Sequence, residues 1–205
     1  FLKKMLRPDE LSIEINNEKK EKILTFINLA LDFNKTHNIF SRSSEQEVFE
    51  KDVLDSYPIT KFIDNKKTIL DLGSGGGFPG LVIAIIKPNN KVYLLESNQK
   101  KAYFLRKIID ELNIKNGVVI NENITKRNNL GTYDIITARA FAKIGKIIEL
   151  TRNNLKKETE YLLLKGTIQK IKEELKVLDT NQLTYEIIKL ENKKQERHII
   201  KIKNK

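Results

Sequence analysis

Short β-rich runs alternate with helical segments from residue 67 to the end of this 205-residue chain. The β-rich runs are TILDLG (68–73), KVYLLES (91–97), GVVIN (117–121), YDIITAR (133–139) and EYLLLKG (160–166). The intervening helices are predicted at 79–87, 99–112, 143–155 and 168–178. Such alternation is typical of a parallel sheet with crossover helices. Two final runs, LTYEIIKL (183–190) and RHIIKIKNK (197–205), are predicted to close the sheet as an antiparallel pair.

Two amphipathic helices are predicted before the sheet. Over 16–38, apolar residues recur with helical spacing at Ile23, Phe26, Ile27, Ala30 and Leu31,. The second helix covers about 45–63, and Ser43 and Ser44 are candidates to cap it,. The chain has no internal repeat and no long linker. We therefore expect a single domain over 1–205, with an N-terminal helical segment (1–64) packed on an α/β core (65–205).

Composition excludes several kinds of site. The chain contains no cysteine, which rules out a disulfide framework, a thiolate zinc site and a cysteine nucleophile,. We expect no bound metal. No apolar run approaches the roughly 18 residues that a membrane span needs. The expectation is a soluble, cytoplasmic protein that does not bind membranes and acts as a monomer, although the sequence itself does not determine the oligomeric state.

The net charge of +11 comes from 38 basic and 27 acidic residues. Clustered lysines and arginines bind phosphates, so this charge favours a polyanionic partner such as RNA. An AT-rich genome also produces many lysines and asparagines without selection for RNA binding. Charge alone therefore leaves both explanations open.

The segment DLGSGGGFPG (71–80) places five glycines after an acid, at the end of the first β-rich run. A glycine-rich turn at this point of an α/β sheet lies at a helix N-terminus, where ligands bind. Gly75, Gly77 and Gly80 satisfy the dinucleotide pattern G-x-G-x-x-G, and Glu96 follows about 20 residues later,. Asp71 argues against a pyrophosphate, because its carboxylate would repel one, and it suits a ligand with an ammonium group.

S-adenosylmethionine fits this set of residues, because it carries an amino group, a sulfonium and a ribose but no phosphate. Glu96 would accept hydrogen bonds from both ribose hydroxyls. The alternative is that Asp71 caps a turn and Glu96 is a solvated strand end.

DLGSGGGFPG resembles the cofactor loop of the bacterial 16S rRNA methyltransferase G family, also known as glucose-inhibited division protein B, in which D-x-G-[ST]-G-x-G-x-P-G-hydrophobic recurs. Six further segments resemble family segments in the same order: FNKTHNIFS (33–41), VLDS (53–56), LLES (94–97), ARAFA (138–142), LLKG (163–166) and ERHIIKIK (196–203). The resemblance implies a Rossmann-like class I S-adenosylmethionine-dependent methyltransferase fold with a seven-stranded, mostly parallel sheet. It also implies methylation of N7 of guanine 527, in the 530 loop of 16S rRNA, with the free rRNA or the small ribosomal subunit as partner.

The resemblance further implies a set of cofactor-binding residues, which are Gly73, Gly75, Phe78, Glu96, Ile124, Thr125 and Arg139. Ile124 and Thr125 would border the adenine. Arg139 would lie where the methyl group meets the incoming base. No general base is expected, because guanine N7 has an exposed lone pair and loses no proton when methylated, so no catalytic residue is assigned.

Lys165, Arg197 and His198 fall at predicted strand ends near the same edge and are candidates for RNA contact, although a histidine there is more often packed. The chain departs from the family at three positions, where Phe33, Phe40 and Asp52 replace the usual Trp, Thr and His. Contacts of the N-terminal segment are therefore open.

Two other functions stay open on sequence grounds. A NAD-dependent oxidoreductase is favoured by G-x-G-x-x-G and disfavoured by Asp71. A basic RNA-binding assembly protein without catalysis is compatible with the charge.

Overall fold

The computed structural model describes residues 15–176, 178, 182–191 and 195–205. These residues form a seven-stranded sheet in the order β3-β2-β1-β4-β5-β7-β6. Its strands are β1 (Thr68–Leu72), β2 (Lys91–Leu95), β3 (Gly117–Ile120), β4 (Tyr133–Arg139), β5 (Leu155–Lys165), β6 (Leu183–Lys189) and β7 (His198–Asn204). Strands β1 to β5 pair in parallel, and β7 runs antiparallel to both β5 and β6. The predicted fold class and the closing antiparallel pair are confirmed.

The sheet is covered on both faces, as parallel sheets require. Alternate residues of β1 enter different hydrophobic clusters, since Ile69 belongs to one cluster and Leu70 and Leu72 to the other. The cluster around Ile69 also contains Phe26 and Ile27 of the first helix. The described part of the N-terminal segment, residues 15–64, therefore packs on the same face of the sheet as Ile69.

The helices follow the predicted order. They are α1 (Asn17–His37), α2 (Glu45–Val48), α3 (Leu54–Ser56), α4 (Gly80–Ile86), α5 (Gln99–Glu111), α6 (Ile144–Thr151) and α7 (Ile168–Leu175). The side chains of Asn16, Ser44 and Asn98 accept hydrogen bonds from backbone N–H groups of the first turns of α1, α2 and α5. Among the described residues, no helix has the length and apolar character to cross a membrane.

The predicted helix over 45–63 is interrupted. Between α2 and α3 the chain forms a π-helical turn, Phe49–Val53, and after α3 it forms a 3₁₀ helix, Tyr57–Phe62. Residues 1–14 of the predicted N-terminal segment lie outside the described residues.

The predicted helix over 143–155 ends early. After α6 a short 3₁₀ helix, Arg152–Asn154, leads directly into β5, which begins at Leu155 rather than near Glu160. The Asn154 side chain donates to the Gly131 carbonyl oxygen at 2.9 Å, and asparagine is a weak helix former,. The hydrogen bond to Gly131 favours an end of the helix before Leu155, although the apolar pattern continues to that residue.

Candidate functional site

The glycine turn, residues 73–79, joins β1 to α4 at the carboxyl edge of the sheet. Gly73, Gly75 and Gly77 have φ angles of 65°, 54° and 94°, a region that side chains with a Cβ rarely adopt,. The turn is tied to β2 because the Ser74 N–H donates to the Leu95 carbonyl oxygen at 3.0 Å. The glycines thus allow a compact backbone loop over the ends of β1 and β2.

The base of the turn consists of Asp71 and Gly80. Asp71 is fully buried, and its Oδ2 accepts a hydrogen bond of 3.1 Å from the Gly80 N–H. A Cβ at Gly80 would clash with Asp71 Oδ2 and with the Leu94 side chain, so glycine is required there. The other carboxylate oxygen of Asp71, Oδ1, has no hydrogen-bond partner among the residues that the structure describes. Burial raises the pKa of Asp71 to about 7.

This geometry corrects one expectation. Asp71 exposes no surface to a ligand, so its carboxylate caps the turn from below instead of meeting an ammonium group. Pro79, at the start of the predicted helix, is the residue just before the first residue of α4.

The rim of the turn consists of Gly75 and Glu96. Glu96 Oε2 accepts a hydrogen bond of 2.9 Å from the Gly75 N–H, and Oε1 accepts one of 2.8 Å from the Asn98 N–H. The residue keeps 7% of its surface exposed, and carboxylate oxygens accept more than one hydrogen bond each. Glu96 therefore anchors the turn and still has acceptor capacity for a ligand hydroxyl.

Phe78 and Arg139 contact each other beside the turn. The Arg139 guanidinium carbon lies 5.2 Å from the Phe78 ring centroid, within range of a cation–π interaction,. Phe78 is 5% exposed, and its ring centroid is 5.0 Å from that of Phe26. The Phe78 ring is consequently part of the packing between the turn and α1, and its backbone lies in the turn.

Ile124 and Thr125 follow β3 and differ in burial. Ile124 is buried in the same hydrophobic cluster as Leu72 and Leu95, the last residues of the neighbouring strands β1 and β2. Thr125 is exposed, and its Oγ1 lies 3.1 Å from Asn128 Oδ1. The structure places Ile124 near the turn through this cluster, whereas the polar contacts of Thr125 are local.

The three candidates for RNA contact all have partners within the protein. The Lys165 ammonium lies 2.7 Å from Glu174 Oε2, and Arg197 Nε lies 3.0 Å from Asp55 Oδ2. The residue His198 is 3% exposed, with Nδ1 2.7 Å from the Gly166 carbonyl oxygen. His198 is therefore packed in the protein, whereas RNA contact by Lys165 and Arg197 stays a prediction.

Three residues at the turn or in contact with Arg139 were not predicted as site residues. The exposed Phe141 ring lies against Gly73, so closely that a Cβ there would clash with it. Phe40 lies against Gly76, and Asp52 forms an ion pair with Arg139. Phe141 follows a left-handed Ala140, with φ 54°, and no local sequence pattern signals such a conformation for alanine. In the sequence, Phe40 and Asp52 differ from a family pattern but carry no signal of a site role.

No cluster of potential metal ligands occurs among the described residues. The candidate site consists of the glycine turn and the Glu96 carboxylate at its rim. The Arg139 guanidinium and the exposed Phe141 ring lie beside the turn.

Comparison with known proteins identifies related sequences. Residues 19–200 match the family model described as GidB, rRNA small subunit methyltransferase G. A curated protein from Brachyspira hyodysenteriae, named ribosomal RNA small subunit methyltransferase G, is 38% identical over 192 residues, covering 92% of each chain. A protein of the same name from Chromobacterium violaceum is 31% identical and covers 77% of this chain and 75% of its own length.

Solved structures share the fold at low identity. A SAM-dependent methyltransferase from Aquifex aeolicus has a TM-score of 0.61 at 15% identity, covering 77% of this chain and 92% of its own. A ribosomal protein L11 methylase from Lactobacillus delbrueckii has a TM-score of 0.60 at 12% identity, covering 76% and 79%. Both likenesses support the class I methyltransferase architecture.

Proposed function

Because this chain belongs to the rRNA small subunit methyltransferase G family, we propose that it transfers a methyl group from S-adenosylmethionine to N7 of a guanine in small-subunit rRNA. By family resemblance the target is guanine 527 of the 530 loop. The protein acts as a single-domain, cytoplasmic monomer on free 16S rRNA or the small ribosomal subunit.

The observation that carries the cofactor assignment is the hydrogen bond between the Glu96 carboxylate and the Gly75 N–H at the rim of the turn. It places a carboxylate beside an open stretch of backbone, since the nearest atom to a Cβ at Gly75 would be the Gly73 carbonyl oxygen at 3.7 Å. A ribose diol requires acceptors of this kind, and no phosphate has to be neutralised. S-adenosylmethionine fits the rim.

A dinucleotide fits less well. In dinucleotide sites the pyrophosphate lies on free backbone N–H groups at a helix N-terminus. Here the first N–H of α4, at Gly80, already donates to the buried Asp71 carboxylate. The oxidoreductase alternative is therefore disfavoured by the base of the turn as well as by family membership.

The remaining cofactor contacts follow from the neighbouring elements. The backbone of Gly73 and Gly75 lies in the turn. By family resemblance, Ile124 and Thr125 would border the adenine. Arg139 lies beside the turn at the end of β4. When bound, S-adenosylmethionine supplies an electrophilic methyl group on a sulfonium.

The residues of the chain have a limited chemical task. Guanine N7 loses no proton on methylation, so no side chain has to act as a general base. The protein instead aligns the two reactants and excludes water, which lowers the entropic part of the barrier. A net charge of +11 attracts rRNA, and binding should weaken as salt is raised.

The test is the content of 7-methylguanosine in 16S rRNA from cells with and without this gene, measured by nucleoside mass spectrometry and mapped to position. We expect one modified guanine to disappear when the gene is deleted. Purified protein with S-adenosylmethionine should restore it in RNA or subunits from the deletion strain. An unchanged set of methylated guanines would overturn the proposal.

A further inference from the structure

Asp52 lies in the π-helical turn Phe49–Val53, and its side chain is 3% exposed. Arg42 approaches its carboxylate with Nε 2.9 Å from Oδ2 and Nη2 3.2 Å from Oδ1. Arg139 approaches from the sheet, with Nη1 2.7 Å from Oδ1. One carboxylate therefore joins the N-terminal segment to the end of β4.

Arg139 is held at three points. Besides the Asp52 contact, its Nη1 donates to the Lys51 carbonyl oxygen at 3.2 Å, and its guanidinium lies over the Phe78 ring. Two of these contacts come from consecutive residues of one helical turn. Because a guanidinium is planar and its hydrogen bonds are directional, its orientation depends on where this turn places the Asp52 carboxylate.

The π-helical turn itself is informative. An inserted π turn costs helical regularity and occurs frequently at functional sites. Here it carries Lys51 and Asp52, the two residues that contact Arg139. Since the carboxylate is almost fully buried, it needs charged partners to offset the loss of hydration, and both partners are arginines.

We propose that Asp52 is a positioning residue of the candidate site, which fixes the Arg139 guanidinium against Phe78, beside the glycine turn, in the orientation that methyl transfer requires. This inference rests on the proposed function, since it uses Arg139 as a site residue. Without the carboxylate, Arg42 and Arg139 carry like charges with no shared counterion, and Arg139 regains rotamers that the ion pair excludes.

A matched control lies on the same helical segment. Asp55 is buried as Asp52 is, and its Oδ2 lies 3.0 Å from Arg197 Nε. Asp55→Asn therefore removes the charge of another buried carboxylate paired with an arginine, which is Arg197 instead of Arg139. A loss common to both variants reports general destabilisation, and a loss confined to Asp52→Asn reports positioning.

The first readout does not use activity. Nitrogen-15 relaxation of the arginine Nε–Hε groups is practical because the chain has only seven arginines. In the unmodified protein and in Asp55→Asn, the Arg139 group should be rigid. In Asp52→Asn it should become mobile on the picosecond to nanosecond timescale. Equal rigidity in all three proteins would overturn the inference.

The second readout is a double-mutant cycle on the single-turnover rate of methyl transfer at saturating RNA and S-adenosylmethionine. We expect Asp52→Asn to lower this rate about tenfold and Asp55→Asn less than about twofold. In an Arg139→Ala background, Asp52→Asn should change the rate less than about twofold, because its effect passes through Arg139. A full tenfold loss in that background would contradict the positioning role.

The two hypotheses fail differently. If the unmodified protein transfers no methyl group to rRNA, the proposed function fails, whereas the relaxation data still decide whether Asp52 orders Arg139. If it does transfer one and Asp52→Asn matches Asp55→Asn in both readouts, only the positioning role fails. Should Asp52→Asn not fold, Asp52→Glu and Asp55→Glu carry the same comparison, with a displaced carboxylate.

Discussion

The base and the rim of the glycine turn each contain one carboxylate, and the two are used differently. At the base, Asp71 is fully buried and bonds to the Gly80 N–H. At the rim, Glu96 bonds to the Gly75 N–H and keeps some exposed surface. Asp71 lies one residue before the end of β1, and Glu96 lies one residue after the end of β2. An acid inside the strand therefore supports the turn, whereas an acid just beyond the end of the neighbouring strand is available to a ligand.

The largest expected effect is the pH dependence of stability at the base. Burial raises the pKa of Asp71 from 3.8 to about 7. The pKa of this carboxyl group is higher in the folded protein than in the unfolded chain. Its contribution to the free energy of unfolding is therefore complete below the unfolded pKa and is lost as pH rises through the folded pKa. We expect the free energy of unfolding to fall by about 4 kcal/mol from this source, between the two pKa values.

The comparison uses Asp71→Asn, which keeps an oxygen acceptor for the Gly80 N–H and does not ionise. Denaturant titrations of both proteins across this pH window should show the variant gaining stability relative to the unmodified protein as pH rises. An unchanged difference between the two across the window would show that Asp71 does not resist ionisation.

The next largest effect is a difference in stability between alanine variants of the base glycine and the rim glycine. Gly80→Ala should lower the free energy of unfolding by about 3 kcal/mol, because its Cβ clashes with Asp71 and Leu94,. Gly75→Ala has open space but a φ of 54°, so its loss should be about 1 kcal/mol,. Denaturant unfolding without cofactor measures both. Equal losses would mean that the base is no more tightly packed than the rim.

Ligand affinity should show the reverse order. Glu96→Ala should weaken S-adenosylmethionine binding by about 2 kcal/mol, as expected for the loss of a charged hydrogen-bond partner. Asp71→Asn, measured in parallel by calorimetry, should change the affinity far less. A stronger effect of Asp71→Asn would place the ligand at the base of the turn and remove the ribose role of Glu96.

The smallest effect is expected beyond the rim, at Thr125. Its hydroxyl already accepts from the Arg127 and Asn128 N–H groups, so Thr125→Val should change cofactor affinity by no more than about 0.5 kcal/mol. The same calorimetric titration measures it. A tenfold loss would show that the hydroxyl takes part in cofactor binding.

Most of the fold could be predicted because strand runs, glycine turns and caps are local signals. YDIITAR became β4 over the predicted residues, and Ser44 caps α2 as predicted. Near the candidate site, the position of Glu96 beside the glycine turn could be predicted from the spacing of these residues. The burial of Asp71 could not, because exposure depends on how α4 and the sheet cover the strand end.

The contacts of the N-terminal segment were also beyond prediction. Asp52 and Arg139 are far apart in the sequence, and their ion pair depends on how the helical segment packs on the sheet. No periodicity encodes such a contact. The same holds for Phe141, whose place against Gly73 depends on the left-handed conformation of Ala140.

Methyl transfer to RNA with 7-deazaguanine at the mapped target tests the central claim most directly. This base lacks N7 and keeps its Watson–Crick edge. We predict that transfer from S-adenosylmethionine disappears while RNA affinity changes little. Undiminished methylation of the deaza nucleotide would contradict the account and move the acceptor to an amino group or a ribose hydroxyl.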